Sequence, residues 1–325
     1  MQMYASLCLM ASDDNVDVPE TLLDTCLSKL RSASEYLLDN SWKYPLVYDE
    51  LYRGVISSQS FVENDHWADF GNTMYNDHHY HYGYYIVAGA IQRMLDPEWD
   101  RLPELNSIID TLIRDVANPN ATQDPFFPEF RHFDWYLGHS YSHGITPFAD
   151  GKDQESTSED INLDYGLMLW GIASENTNLE ALGRLMLKVN SRAIQHYFLM
   201  SDDNVVHPES IKKNKVTGIF FDNKVDYATW FSSDIHAIHG IQMIPISPVT
   251  EFARSKTFVT EEWEQVLSLQ RIVTDVGNVE DPWQSLLFTN FASVDKLAAM
   301  DALTTVPMDD GLTRPYALYM AATRS

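Results

Sequence analysis

The strongest constraint on this chain is helical periodicity, because apolar residues recur at three- and four-residue spacings in several separate runs. One run follows Pro19, with leucines from Leu22 to Leu38 on a single face, and another follows Pro103 over 105–116. Further helical patterns occupy 84–95, 161–174, 178–200, 261–277, 281–291 and 293–303. We therefore predict a mainly α protein with about eight to ten helices.

Two long stretches between these helices, 42–83 and 118–154, lack a helical period and collect aromatic, polar and titratable side chains. Long irregular segments within a compact domain usually carry function. Packed helices would fix the frame, while the loops at one end build a groove. Since the chain has no repeat, low-complexity tract or Gly/Ser linker, we predict a single helical domain over 1–325 with long active-site loops.

The charge balance limits the possible partners. Lys and Arg number 22 against 47 Asp and Glu, which gives a net charge of −25. Such an acidic surface repels phosphate backbones and anionic lipid, so we expect neither nucleic acid nor a membrane as a partner. No run approaches the roughly 20 apolar residues of a membrane span, and the apolar N-terminal run lacks the basic residues of a secretory signal. The two cysteines, Cys8 and Cys26, are too few for a disulfide framework.

Asp77 is the first candidate for acid chemistry. No Lys or Arg occurs between Arg53 and Arg93, so no cation nearby in sequence keeps this carboxyl ionised. Aromatic neighbours and the like charges of Asp65 and Asp69 are expected to raise its pKa. A carboxyl that stays protonated near neutral pH is what a general acid requires. The alternative is that Asp77 caps the helix that follows it.

Glu155 and Glu159 are candidates for the complementary base. Ser156 and Glu159 match a capping box, in which Ser156 is the N-cap of a helix, and this is the structural alternative for Glu159. Glu155 would then precede the N-cap and face the positive end of the helix dipole, which favours an ionised carboxylate. The two loops would thus offer carboxyls whose pKa values are pushed apart, as acid/base catalysis requires.

The loop aromatics suit a sugar ligand, which presents apolar C–H faces and a rim of hydroxyls, although ordinary burial is the alternative for each ring. These rings belong to Trp67, Tyr75, Tyr80, Tyr82, Trp135 and Tyr136. A zinc or iron site is a further alternative, with ligands drawn from Asp77, His79, His81, His236 and His239. The absence of an HExxH motif and of a cysteine pair disfavours it, and no nucleotide-binding or serine-hydrolase motif occurs.

Six motifs, in order across about 45–250, closely resemble glycoside hydrolase family 81, the endo-β-1,3-glucanases. They are FGNTMYNDHHYHYGYY, RHFDWYLGHSYSHG, DGKDQESTSED, LDYGLMLWG, KVDYATWF and IHGIQMIPISP. The resemblance implies an (α/α)6 toroid, complete or partial, and hydrolysis of β-1,3-glucan with inversion of configuration. We expect no metal and no cofactor.

The resemblance also implies residue roles. The aspartate of the YNDHH motif, Asp77, would be the general acid, and Glu155, ahead of Glu159, the general base. Inversion needs about 6.5–9.5 Å between two such carboxyls, which are expected to lie on different loops that face each other across a groove. Substrate contacts are expected from Tyr75, His79, His81, Tyr82, Asp134, Trp135, Tyr136, His139 and Lys152.

The chain departs from the family pattern at two points. Members normally carry an N-terminal β-sandwich, which nothing here resembles, so we expect the helical catalytic portion alone. Segment 48–54 stands where the family has a Trp-Gly-Gly pattern, which alters one wall of the expected cleft. A non-catalytic β-1,3-glucan-binding protein is therefore the alternative function. The expected substrate favours an extracellular or cell-wall location, while the sequence gives no oligomeric state.

Overall fold

The computed structural model describes residues 1–19 and 21–324, and they are mainly helical, as predicted. None of the described helices is long and apolar enough to cross a bilayer. Fifteen α-helices occur among these residues, namely α1 (Gln2–Ala11), α2 (Thr21–Leu38), α3 (Gln59–Glu63), α4 (His78–Leu95), α5 (Leu102–Ala117), α6 (Thr157–Ala173), α7 (Thr177–Ala193), α8 (Glu209–Lys212), α9 (Ile235–Gly240), α10 (Thr250–Ala253), α11 (Lys256–Gln265), α12 (Arg271–Thr274), α13 (Trp283–Phe291), α14 (Lys296–Leu303) and α15 (Arg314–Thr323).

Within the described part of the chain, seven short strands form three small antiparallel sheets. The strands are β1 (Leu46–Asp49), β2 (Gly54–Ser57), β3 (Phe133–Asp134), β4 (His139–Ser140), β5 (Asp153–Gln154), β6 (Ile219–Phe221) and β7 (Val225–Asp226). Strand β1 pairs with β2, β3 with β4, and β6 lies between β5 and β7. A 3-10 helix, Ala68–Met74, precedes α4, and a π-helical turn, Ile194–Phe198, follows α7. These pieces shape the loops rather than a sheet-based core.

Helix α5 shows how the periodic sequence becomes core. Pro103 lies in its first turn, where the missing N–H costs nothing. The apolar side chains predicted for its inner face are buried with the exception of Ile108, which is half-buried. Helix α5 packs against α4 at Gly89, where a Cβ atom would lie 2.7 Å from Cγ1 of Ile109. Glycine therefore allows the close approach of the two helices.

The described helices depart from the prediction in number and in bounds, since fifteen occur where eight to ten were predicted. Helix α4 begins at His78 rather than at residue 84, because the polar and aromatic 78–83 turn is helical and largely buried. The predicted run 261–277 is divided between α11 and α12, and six short or terminal helices lie outside the predicted runs, namely α1, α3, α8, α9, α10 and α15. The residue at the expected start of α2, Glu20, lies outside the described residues.

The described chain divides into two compact units. The first comprises Met1–Lys152 and Leu163–Met186, and the second comprises Asp153–Asn162 with the residues from Leu187 onwards. The single domain expected over 1–325 stays a prediction.

A disulfide joins the two N-terminal helices of the first unit. Cys8 on α1 is bonded to Cys26 on α2, and both side chains are buried. Helix α1 also packs against α4. The cross-link closes a loop with a sequence separation of 18 residues, which restricts the unfolded chain and so stabilises the folded one.

We expect removal of this disulfide to lower the free energy of unfolding by about 3 kcal/mol. The double variant Cys8→Ala/Cys26→Ala, and the wild type in reductant, should show the same loss in urea titrations. Reductant should leave the double variant unchanged. An unchanged urea midpoint on reduction, with two free thiols confirmed by titration, would show that the cross-link does not stabilise this unit.

Candidate active site

Asp77 occupies the N-cap position of α4 with a left-handed backbone, at φ 61°. Its side chain makes no capping hydrogen bond to the helix amides, so the capping alternative is not observed. Its backbone N–H donates to the carbonyl of Ser142 at 2.9 Å, and its own carbonyl accepts from His81 N–H at 2.9 Å. A non-glycine residue in this region costs roughly 1–3 kcal/mol, and such residues cluster at functional sites.

The loop that carries Asp77 is fixed by close packing within the first unit. Asn76 Oδ1 accepts from Gly144 N–H at 2.7 Å, and Ile145 N–H donates to the carbonyl of Met74 at 2.9 Å. A Cβ atom on Gly144 would lie 1.9 Å from that Met74 oxygen, so only glycine fits here. The backbone conformation at Asp77 is therefore set by its neighbours in the chain and by the 142–145 segment.

A buried carboxylate beneath this loop holds the residue after Asp77. Asp115, with no exposed side-chain surface, lies 2.6 Å from Nδ1 of His78 and accepts from Arg131 Nη2 and from the Val55 amide, both at 3.1 Å. The second ring nitrogen of His78 lies 2.8 Å from the carbonyl of Asn72. Burial alone would raise the pKa of Asp115, but His78 and Arg131 together hold it below its usual range.

Four of the predicted substrate contacts have buried side chains. They are Tyr75, His79, Tyr82 and His139. The hydroxyls of Tyr75 and Tyr82 donate to Asp49 at 2.7 Å and to the carbonyl of Val55 at 2.6 Å. The His79 and His139 rings lie against Tyr80 and Tyr141. Little of their surface reaches solvent, and the substrate contacts expected from them stay a prediction.

The other predicted contacts of the first unit reach the surface to different degrees. Tyr136 is 94% exposed and Trp135 is 41% exposed. They follow Asp134, which accepts the Tyr136 amide at 2.8 Å and so shapes the turn. The Lys152 ammonium lies 5.8 Å from the Tyr141 ring centre. Burial lowers the pKa of the His81 imidazole to about 4.

Glu155, in the second unit, is held by two hydrogen bonds just after β5. Its Oε1 accepts the backbone N–H of Trp230 at 2.9 Å, and its carbonyl accepts from the Gln242 side-chain amide. Gln242 also accepts from the amide and hydroxyl of Thr157, at 3.1 and 2.7 Å. Trp230 and Gln242 were not predicted as site residues, although both lie in motifs that the sequence analysis quoted.

Burial raises the pKa of Glu155 to about 7, partly offset by the Trp230 hydrogen bond, and the nearby Asp153 adds to the rise. The expected lowering by the helix dipole was therefore wrong in direction, because loss of hydration outweighs the dipole. A carboxyl of this pKa is about half ionised at neutral pH, which suits a base close to its working pH.

Glu159 lies in the first turn of α6. Its backbone N–H donates to Ser156 Oγ at 3.4 Å, which is the first half of the predicted capping box. The role of its carboxylate stays a prediction.

The histidines considered for metal binding have other polar neighbours. His239 contacts Glu262 and the Tyr227 hydroxyl, and His236 lies 3.4 Å from Asp281. Across residues 1–19 and 21–324, no group of three or more His, Cys, Asp and Glu side chains is arranged to hold a metal ion.

The family model of the glycosyl hydrolase family 81 C-terminal domain matches residues 1–318. The chain belongs to glycoside hydrolase family 81. It is 41% identical over 301 residues to a glucan endo-1,3-beta-D-glucosidase of Arthroderma benhamiae, with 91% of this chain and 33% of the relative covered. It is 38% identical to the primary septum glucan endo-1,3-beta-D-glucosidase of Schizosaccharomyces pombe, with 98% and 31% covered.

The family 81 fold is also shared with a solved structure. A variant of a glycoside hydrolase family 81 protein from Clostridium thermocellum superposes with a TM-score of 0.76 at 24% identity, covering 93% of this chain and 41% of that one. The chain spans about a third of the length of the curated relatives named above.

We expect the variant Asp115→Asn to lose about 3–5 kcal/mol of unfolding free energy at neutral pH, because it leaves the buried Arg131 guanidinium without its counter-charge. Since Asp115 has a lowered pKa in the folded protein, its ionised form stabilises the fold above the unfolded value of about 3.9. That contribution is lost as the pH falls further, so the difference from wild type should shrink below about pH 4.

The matched control is Asp124→Asn, which breaks a partly exposed pair with Arg114 and should cost no more than about 1 kcal/mol. Urea titrations at several pH values measure both variants. Equal losses for the two would show that the Asp115 cluster does not organise this unit.

Proposed function

We propose that this chain hydrolyses β-1,3-glucan at internal linkages with inversion of configuration, and that Asp77 is the acid and Glu155 the base. The observation that carries the proposal is the identity of 38–41% to relatives named glucan endo-1,3-beta-D-glucosidases, in a chain that keeps both motifs. Glu159 is the second choice for the base. No metal or cofactor takes part in the proposed chemistry.

The proposed reaction is a single displacement. The Asp77 carboxyl gives its proton to the glycosidic oxygen as the bond from that oxygen to the anomeric carbon breaks. The Glu155 carboxylate takes a proton from a water whose oxygen attacks the same carbon from the opposite face. One water is consumed, and the new reducing end is released as the α-anomer.

Exposed and half-buried side chains of the first unit are proposed to bind the glucan. Trp135 and Tyr136 offer flat faces to sugar C–H groups, while Asp134, His81 and Lys152 offer hydrogen-bonding groups. A neutral polysaccharide carries no charge for the acidic surface to repel. The (α/α)6 toroid and a wall or extracellular location stay predictions, and the Cys8–Cys26 bond fits an oxidising compartment.

The direct test is incubation of the protein with laminarin, with reducing ends and product lengths followed over time. We expect medium-length products early, as endo action requires. Retained affinity for laminarin without new reducing ends would instead favour the glucan-binding alternative. That alternative was raised by segment 48–54, which departs from the family's Trp-Gly-Gly pattern.

We expect Asp77→Asn to lower kcat at least ~100-fold, because an amide has no proton to give to the leaving oxygen. Binding of laminarin, measured by affinity electrophoresis, should stay within about twofold of wild type. Asp24→Asn, which changes an exposed acidic side chain on α2 of the same unit, is the control and should keep most of the activity. Near-normal turnover of Asp77→Asn would contradict the acid assignment.

The base is tested by comparing Glu155→Gln with Glu159→Gln. A base must be ionised to accept a proton, so wild-type kcat/KM should rise with pH through about 7, the pKa of Glu155. Glu155→Gln should lose ~100-fold or more in kcat/KM, whereas Glu159→Gln should keep the same pH limb. The reverse result would move the base to Glu159.

A further inference from the structure

A buried histidine in the second unit connects to the loop that holds Glu155. His239 Nε2 lies 3.0 Å from the Tyr227 hydroxyl, and its Nδ1 lies 2.7 Å from Glu262 Oε1. Since the carboxylate can only accept, Nδ1 carries the hydrogen in the neutral ring, which leaves Nε2 to accept from Tyr227. Burial, and then the Glu262 charge, raise the pKa of Tyr227 to about 12, so the hydroxyl stays a donor.

A tight turn connects Tyr227 to the amide that contacts Glu155. Thr229 N–H donates to the carbonyl of Ser232 at 2.8 Å, and Thr229 Oγ1 accepts the amides of Phe231 and Ser232 at 3.2 and 2.7 Å. These bonds restrict the backbone next to Trp230. The turn that they form lies between Tyr227 and the Trp230 N–H in a short stretch of chain.

A second set of hydrogen bonds links Glu155 to the residues that follow helix α9. Gln242 follows α9, which carries His239, and its side chain bonds the Glu155 carbonyl and Thr157. The hydroxyl of Ser158 donates to the carbonyl of Ile241 at 3.2 Å. Glu155 is thus linked to the α9 region through two sets of contacts, one that includes Gln242 and one that includes Tyr227.

Buried charged side chains hold the hydrogen-bond network around His239 in place. Glu262 pairs with Arg254 as well as with His239, and Arg254 Nε donates to Asn290 Oδ1 at 3.1 Å. His239 and Glu262 have no exposed side-chain surface. The charged groups that act on this hydrogen-bond network are Glu262 and Arg254 near His239, and Asp153 near Glu155. Tyr227 is half-buried, so it is more exposed to solvent than His239 and Glu262.

We propose that Tyr227 is a positioning residue for Glu155, because its hydrogen bond to His239 keeps the 227–232 turn where Trp230 N–H contacts the Glu155 carboxylate. The catalytic meaning of this inference rests on the function proposed above, in which Glu155 is the base. The hydrogen-bond relation itself does not depend on that function. Tyr227 need not touch substrate in this role.

The test uses Tyr227→Phe, which keeps the ring and removes only the hydroxyl. Loss of the amide contact disfavours the Glu155 carboxylate, so the acidic limb of kcat/KM should move up by about one pH unit. At pH 7 the variant should then be about fivefold slower than wild type, because fewer molecules carry an ionised base. The deficit should shrink as the pH rises above 8, with KM within about twofold throughout.

Tyr319→Phe, on α15 of the same unit, removes a comparable half-buried hydroxyl and is the control. It should leave the pH limb in place. Thermal unfolding of both variants checks that each is folded. A deficit in Tyr227→Phe that is the same at every pH would overturn the positioning role, since general damage to the fold does not vary with ionisation of one carboxyl.

A measurement without turnover separates this inference from the proposed function. The side-chain carboxyl carbon of Glu155, assigned by its absence in Glu155→Gln, is titrated by ¹³C NMR in wild type and Tyr227→Phe. We expect its midpoint to rise by about one pH unit in the variant. Unchanged midpoints would reject the positioning role even if laminarin is hydrolysed, and a shifted midpoint in a protein that does not hydrolyse laminarin would reject only the proposed function.

Discussion

A buried carboxylate paired with a histidine and an arginine underlies each of the two candidate catalytic segments. In the first unit Asp115 contacts His78 and Arg131, and His78 directly follows Asp77. In the second unit Glu262 contacts His239 and Arg254. Removing such charges from water costs several kcal/mol each, and only close pairing offsets this cost. The loops above them are therefore fixed by interactions that tolerate little change.

The same burial has opposite consequences for different carboxyls in this protein. Asp115 and Glu262 lie beside cations, which hold their pKa values below the usual range despite complete burial. Glu155 is held by a backbone amide and lies near Asp153, so burial raises its pKa. The contrast separates carboxyls that build the frame from one that exchanges a proton near neutral pH.

Local patterns in the sequence predicted the frame better than the site. The apolar face of α5 was visible as a periodic run, whereas the start of α4 was hidden because its first turn, 78–83, is polar and aromatic. His79 and Tyr82 were predicted as substrate contacts, and only long-range packing shows that their side chains are buried. The buried ion-pair role of Asp115 was not predicted, because its partners Val55 and Arg131 are distant in sequence. The pKa of Glu155 depends on desolvation, which spacing does not report.

Family membership rests on residues 1–318, while the proposed reaction needs two carboxyls to act as acid and base in one displacement. The most direct measurement is proton NMR of laminarin during the first minutes of hydrolysis, before mutarotation equilibrates the new reducing ends. We expect the α-anomer to form first and the β-anomer to appear only later. If the β-anomer forms first, configuration is retained and the proposed pairing of Asp77 with Glu155 is contradicted.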